Sequence, residues 1–165
     1  MVEASGRTRH QADHGGVLAE FAIVVPVALL LLLGAVDFGR VWALASASAN
    51  AAHAGAQYGS QNAQLAGDIE GMRQVTIRDL ANSSVLAASD PGENGITLAD
   101  FTITPERYCE CADGSEIACD NKCGGGTSPM VFVRVRVDTM FQTLFDYPGI
   151  PSEVQISREA VLRAR

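Results

Sequence analysis

The sequence predicts an α+β protein: a long N-terminal helix that spans a membrane and extends beyond it, then a second helix packed on a small antiparallel sheet of about three strands. Three observations carry this reading. Residues 21–36, FAIVVPVALLLLLGAV, run for sixteen positions without a charge. Residues 37–60, DFGRVWALASASANAAHAGAQYGS, continue alanine-rich and free of proline, so helix propensity does not stop where the apolar run does. Residues 131–137, VFVRVRV, set Val131, Val133, Val135 and Val137 on one face and Arg134 and Arg136 on the other, the alternation of a strand with one solvated side.

The apolar run sets the class. Sixteen helical residues cover about 24 Å, short of a ~30 Å hydrocarbon core. Counted over residues 17–38, with Glu20 and Asp37 near the two interfaces, the span is long enough. Pro26 lies inside it and is tolerated in membrane helices more readily than in soluble ones. A cleaved secretory signal is the competing explanation, with Ala45-Ser46-Ala47 or Ala47-Ser48-Ala49 as cleavage sites. The charge adjoining the run is acidic (Glu20), however, and those sites lie some ten residues too far on, beyond Asp37 and Arg40. An uncleaved anchor is expected. Arg7 and Arg9 precede it with no basic cluster just after it, which predicts a cytoplasmic N-terminus and an exported C-terminal domain. Trp42 suits an interfacial anchor, and small residues at Ala43, Ala47, Ala51 and Ala54 or Gly55 give the helix a smooth face that another helix can approach closely.

Size and charge narrow the rest. Of 165 residues, roughly 125 remain beyond the anchor, enough for one modest core. A net charge of -7 makes nucleic acid an improbable partner.

Residues 15–21 read Gly-Gly-Val-Leu-Ala-Glu-Phe. This junction resembles the type IV prepilin processing site, in which a prepilin peptidase cuts after the glycine and the glutamate becomes the fifth residue of the mature chain. The cut maps between Gly15 and Gly16, with Glu20 and Phe21 opening the mature helix. A carboxylate at the edge of a lipid-embedded helix costs on the order of 1–3 kcal/mol unless paired. The new α-amino group at Gly16 would be a cation within reach of Glu20 or of a neighbouring subunit's. Glu20-Phe21, Pro26, Leu29 to Leu33, Asp37-Phe38-Gly39-Arg40 and the small residues through Ala52, Gly55, Ala56 and Tyr58 together resemble the TadE-like family, pseudopilin-type proteins of tight-adherence (Flp) pilus systems. His53 departs from it, since the family more usually has an arginine or glutamate nearby. The resemblance implies a leader at 1–15, a pilin-like helix at 16–60 and a periplasmic α+β domain at 61–165. It also implies a minor, non-enzymatic pilus component held in the inner membrane, whose partners are the prepilin peptidase, other pseudopilins, assembly-platform proteins and membrane lipid. Asp37, Phe38, Gly39 and Arg40 join Glu20 as its assembly residues. The alternative is an unrelated anchored or secreted binding or adhesin module that the N-terminus only delivers.

Within the exported part, residues 62–81 place Leu65, Ile69, Met72, Val75 or Thr76 and Leu80 at helical intervals, with Arg73 and Arg78 on a solvated side. Turn clusters at 89–95 and 147–151 bound strands expected at 96–108, 130–141 and 153–163. Cys109, Cys111, Cys119 and Cys123 fall in the loop between the first two strands. An oxidising compartment makes them two disulfides. Pairing Cys109 with Cys111 is disfavoured by distance along an extended chain; of the two remaining pairings the nested one, Cys109–Cys123 with Cys111–Cys119, is preferred. Zinc is the competitor, but the spacing lacks paired C-x2-C knuckles. The loop's acids do not follow a calcium pattern, and Gly124-Gly125-Gly126 is not followed by the lysine of a phosphate loop. His10, His14 and His53 assemble no acid–base triad. Neither an enzyme, a cofactor, a metal nor a small-molecule substrate is expected.

Overall fold

The computed structural model describes residues 14–87, 96–144, 149 and 151–165. The turn cluster read at 89–95, most of the one at 147–151, and Arg7, Arg9 and His10 lie outside these residues. The chain divides into two compact units, Met1–Gly39 and Arg40–Arg165.

Helix α1, His14–Ser60, runs through both and contains Pro26. Its range matches the expectation that the helix does not end with the apolar run. In the first unit every described side chain from residue 18 to residue 32 is exposed, including Phe21 at 66 % and Leu31 at 71 %. Among the described residues this is the one helix long and apolar enough to cross a membrane.

The second unit is helices on one face of a sheet. After α1 come α2 (Ala63–Ala66), α3 (Ile69–Ala81) and α4 (Ser84–Ala87). The single helix expected over 62–81 is therefore broken. Asn62 caps α2 by accepting from Leu65 N at 2.9 Å, and Asp68 caps α3 by accepting from Gly71 N at 2.9 Å. A residue that caps one helix has left helical geometry, so Gly67-Asp68 cannot also continue the helix before it.

The sheet has four strands, β1 (Phe101–Glu110), β2 (Glu116–Ile117), β3 (Met130–Gln142) and β4 (Glu153–Arg163), in the order β2-β1-β3-β4 with all neighbours antiparallel. The three long strands correspond to the three expected; β2 is the addition, two residues inside the cysteine loop. Strand β1 starts later than expected because residues Leu98–Asp100 form a 3-10 turn, closed by Asp100 Oδ2, which accepts from Thr97 N at 2.7 Å and Thr97 Oγ1 at 2.9 Å.

Alternation decides the layers. Val133, Val135 and Val137 are fully buried and join Leu44, Ala51, Ala52 and Ala56 of α1, Met72 and Leu80 of α3, Ile103 of β1 and Ile156 of β4 in one core. Each valine buried contributes about 1.5–3 kcal/mol. On the opposite face Arg134 lies 3.3 Å from Glu106 and 4.5 Å over the ring of Tyr108, and Arg136 lies 2.8 Å from Glu159. Such solvated pairs are worth little individually, about 0–1 kcal/mol.

Both sheet edges carry a polar cover. Along β1, Arg73 Nη1 donates to Ile103 O at 2.7 Å, and Pro105 offers no N–H. The expectation that Arg73 is simply a solvated side chain is thereby corrected. Along β4, Arg158 holds a position whose neighbours 156 and 160 are buried, yet it is exposed, and its Nη1 donates to Ser157 O at 3.0 Å. Charge turned toward the core side of an edge strand discourages pairing with another chain.

Candidate functional site: the processing junction and the assembly helix

The junction residues lie in the first turns of α1. Gly16 is exposed, and a Cβ there would meet nothing within 4 Å. Glu20 follows four positions later, about 6 Å along the axis, and is exposed beside Phe21. Gly15 belongs to the same helix, one residue after its start at His14. Asp37 is buried, whereas Phe38 and Gly39 are exposed. Arg40 opens the second unit with its guanidinium 5.2 Å from the centre of the Phe141 ring, a cation–π contact that the local pattern Asp-Phe-Gly-Arg does not announce.

Beyond Arg40 the small-residue face acquires an occupant. Leu44, Ser48, Ala51, Ala52, Gly55, Ala56 and Gly59 are buried at intervals of three and four. A Cβ on Gly55 would collide with Thr76 Oγ1 and come within 3.1 Å of Met72 O and 3.4 Å of Val135 Cγ2. One on Gly59 would collide with Met72 Sδ and lie 3.2 Å from Val133 Cγ1. Of the face expected at Ala43, Ala47, Ala51 and Ala54 or Gly55, Ala43 is exposed, while Ala47, Ala51 and Gly55 are buried and Gly55 meets a helix of the same chain, α3. The buried hydroxyls it encloses are satisfied locally: Ser48 Oγ donates to Leu44 O at 2.9 Å and Thr76 Oγ1 to Met72 O at 2.8 Å. The outer side of α1 is small and polar, with Ala43, Asn50, His53 and Gln57 exposed.

Tyr58 closes this face. Its hydroxyl donates to Asp68 Oδ2 at 2.8 Å while Asp68 Oδ1 accepts from Gly71 N. The backbone N–H of Gly71, then the Tyr58 hydroxyl, hold the Asp68 carboxyl below its ordinary range. The same hydrogen bond, with burial and the carboxylate's charge, raises the Tyr58 phenol. Gly71 must be glycine here, since a Cβ would press on both Asp68 and Tyr58. The signal for this cluster, an Asp after Gly67 with a helix-start spacing to Gly71, was present in the sequence but hidden beneath the apolar periodicity of 62–81.

All four cysteines are bonded, Cys109 to Cys119 and Cys111 to Cys123, with Cα separations of 5.1 and 5.7 Å. This corrects the nested pairing. Strand register is the reason: Ile117 stands opposite Cys109, and Cys111 N donates to Ser115 O at 2.9 Å, so the hairpin closes too early to face Cys111 toward Cys119. After Ile117 the chain leaves β2 and turns at 119–120, which returns Cys119 to Cys109 and sends Cys123 on to Cys111. At the tip, Asp113 accepts from Ser115 Oγ at 2.6 Å and Ser115 N at 3.0 Å, which holds its carboxyl below the ordinary range. Gly114 turns there with φ of 84°.

Residues 15–57 match the family model described as TadE-like protein. No curated protein matches the chain, and no solved structure does. The match starts at the glycine of the junction and ends one residue before Tyr58, so it falls wholly within α1. It takes in Glu20, the exposed apolar half and nearly all of the small-residue face. Over that helix, the chain is similar to the TadE-like family.

Proposed function

We propose that the chain is a minor pseudopilin, or a closely associated assembly component, of a tight-adherence (Flp) pilus. It is cut by a prepilin peptidase between Gly15 and Gly16 and held in the inner membrane by a single pass. Its N-terminus is cytoplasmic, and its 61–165 domain, with the disulfide loop 109–123, lies outside the cytoplasm. Its partners are other pseudopilins and the assembly platform. The observation that carries the reading is the coincidence of the TadE-like segment with a helix whose large side chains, residues 18 to 32, are all exposed. In water such exposure is unfavourable by about 25 cal/mol for each Å² of apolar surface; in lipid it costs nothing.

The chemistry asked of this region is assembly, not catalysis. Cleavage leaves an amine four residues from Glu20. A pair between them, within one chain or between neighbours, neutralises the carboxylate and fixes the height of one helix beside the next. Two disulfides suit a compartment in which thiols oxidise.

Intact-mass analysis of the chain extracted from membranes tests the reading, alongside piliation of a Glu20→Ala strain. A mature chain starting at Gly16, with piliation lost and export kept in the variant, is expected. A chain retaining residues 1–15, or piliation unchanged by the substitution, would falsify it.

A further inference from the structure

We propose that the Arg40 end of the compact unit rests on the lipid surface, with Leu98, Met140 and Leu144 seated among the headgroups. The inference depends on the membrane-anchor reading above and goes beyond it, because it assigns lipid contact to the folded domain as well as to the helix.

Large exposed apolar side chains are unevenly placed. In this unit the described ones are Trp42 at 67 %, Leu144 at 51 %, Met140 at 48 %, and Leu98 and Val161 at 39 %. Four of the five gather at one end. Arg40 stacks on Phe141, and Arg40, Ile96, Asp100, Met140 and Leu144 line the same open groove of about 360 Å³. Leu98 sits in the turn between Ile96 and Asp100, and Trp42 is two residues past Arg40. The other end of the sheet, at the disulfide loop, exposes Asp113, Glu116, Asp120 and glycines instead. Val161 stands apart on the charged face, opposite Arg134.

An apolar cluster of this kind on one end of a small domain marks a surface that meets something other than water. Chain connectivity identifies it as lipid. Arg40 directly follows Gly39, and Trp42 lies four residues, about 6 Å of helix, past Phe38. The layer between hydrocarbon and water is roughly 5–8 Å deep on each side. Arg40 and the side chains packed around it are therefore tethered within reach of that layer, where leucine, methionine and tryptophan gain from partial burial. The acid in the groove does not oppose this, because the Asp100 carboxylate is already held by Thr97 N and Oγ1.

Trp42 is the single tryptophan of the chain, which supplies a direct test. The full-length protein is reconstituted into phosphatidylethanolamine/phosphatidylglycerol vesicles, with or without lipid brominated at shallow acyl positions. Emission is compared for the unaltered chain and for Leu144→Trp, Leu98→Trp and Val161→Trp, each made in a Trp42→Phe background. Bromolipid should quench Trp42 and the indoles at 144 and 98 to a similar degree, and leave the indole at 161 unquenched. Two different introduced indoles guard against one variant that misfolds. Should Trp42 be quenched while the indoles at 144 and 98 match that at 161, the domain stands clear of the bilayer and the proposal is overturned with the anchor intact. Blue-shifted but unquenched emission at 144 and 98 also overturns it, since protein would then cover this end. No quenching of Trp42 would instead remove the anchor reading itself.

Discussion

The two parts of α1 use opposite rules for the same helical backbone. From residue 18 to residue 32 leucines, valines and isoleucines are all exposed; after Arg40, alanines, glycines, Ser48 and a single leucine are buried, with Gly55 and Gly59 against α3 and β3. In a soluble protein the larger side chains would be the ones inside. The inversion indicates that the surroundings change along the helix. The first part is compatible with a membrane anchor and would gain from a medium as apolar as itself, while the second gains from close backbone approach within the folded unit.

Equivalent substitutions on the two sides should separate these rules. Leu44→Ala removes a fully buried side chain from the core and should destabilise the compact unit by about 2–5 kcal/mol. Leu30→Ala, at an exposed position of the apolar half, should leave the unit's denaturation midpoint unchanged. Detergent-solubilised chemical melts followed by near-ultraviolet circular dichroism would show the contrast, and equal losses would break it.

Gly55→Ala is next in size. The added methyl meets Thr76 Oγ1, anchored by its bond to Met72 O, so roughly 1–3 kcal/mol should be lost. Adding Thr76→Ser leaves that oxygen in place and should not rescue; Thr76→Ala removes it and should. Gly39→Ala, where nothing lies within 4 Å of the new methyl, is the matched control.

The smallest expected effect concerns Asp68 and Tyr58. Asp68 is held below its ordinary pKa, so its contribution is complete above the usual carboxylate range and disappears as pH falls through the folded value. Tyr58 is raised, so its share is complete below the usual phenol range and is lost as pH climbs through its own folded value. Between about pH 4 and 10 both operate. The gap in melting temperature between the unaltered chain and Asp68→Asn should be widest inside that window and should close on acidification; a gap independent of pH would show that the carboxylate's charge is immaterial.

What the sequence made legible follows from range. The helix through 60, the three long strands and the inward valines rest on local periodicity, and the structure agrees with each. The TadE-like resemblance was legible because the order and spacing of its residues are themselves the signal. Local breaks were harder: the cap at Asp68 competed with an apolar rhythm that ran past it, and the two residues of β2 are too few for alternation to register. Pairings between distant residues were the least accessible. The partner of Cys111 depends on where a two-residue strand docks, and the occupant of the small-residue face depends on α3 folding back, which no window around Ala51 contains.

The covered edges of the sheet matter most where copies are numerous. Proteins confined to a bilayer meet one another far more often than the same number in free solution, and an open strand edge then becomes a seed for intermolecular β structure. Here Arg73 occupies the carbonyl of Ile103 on one side and Arg158 that of Ser157 on the other. For a chain anchored as proposed, crowding in two dimensions would thus meet a sheet with a side chain on an outward carbonyl at each edge, an arrangement that disfavours growth by strand addition.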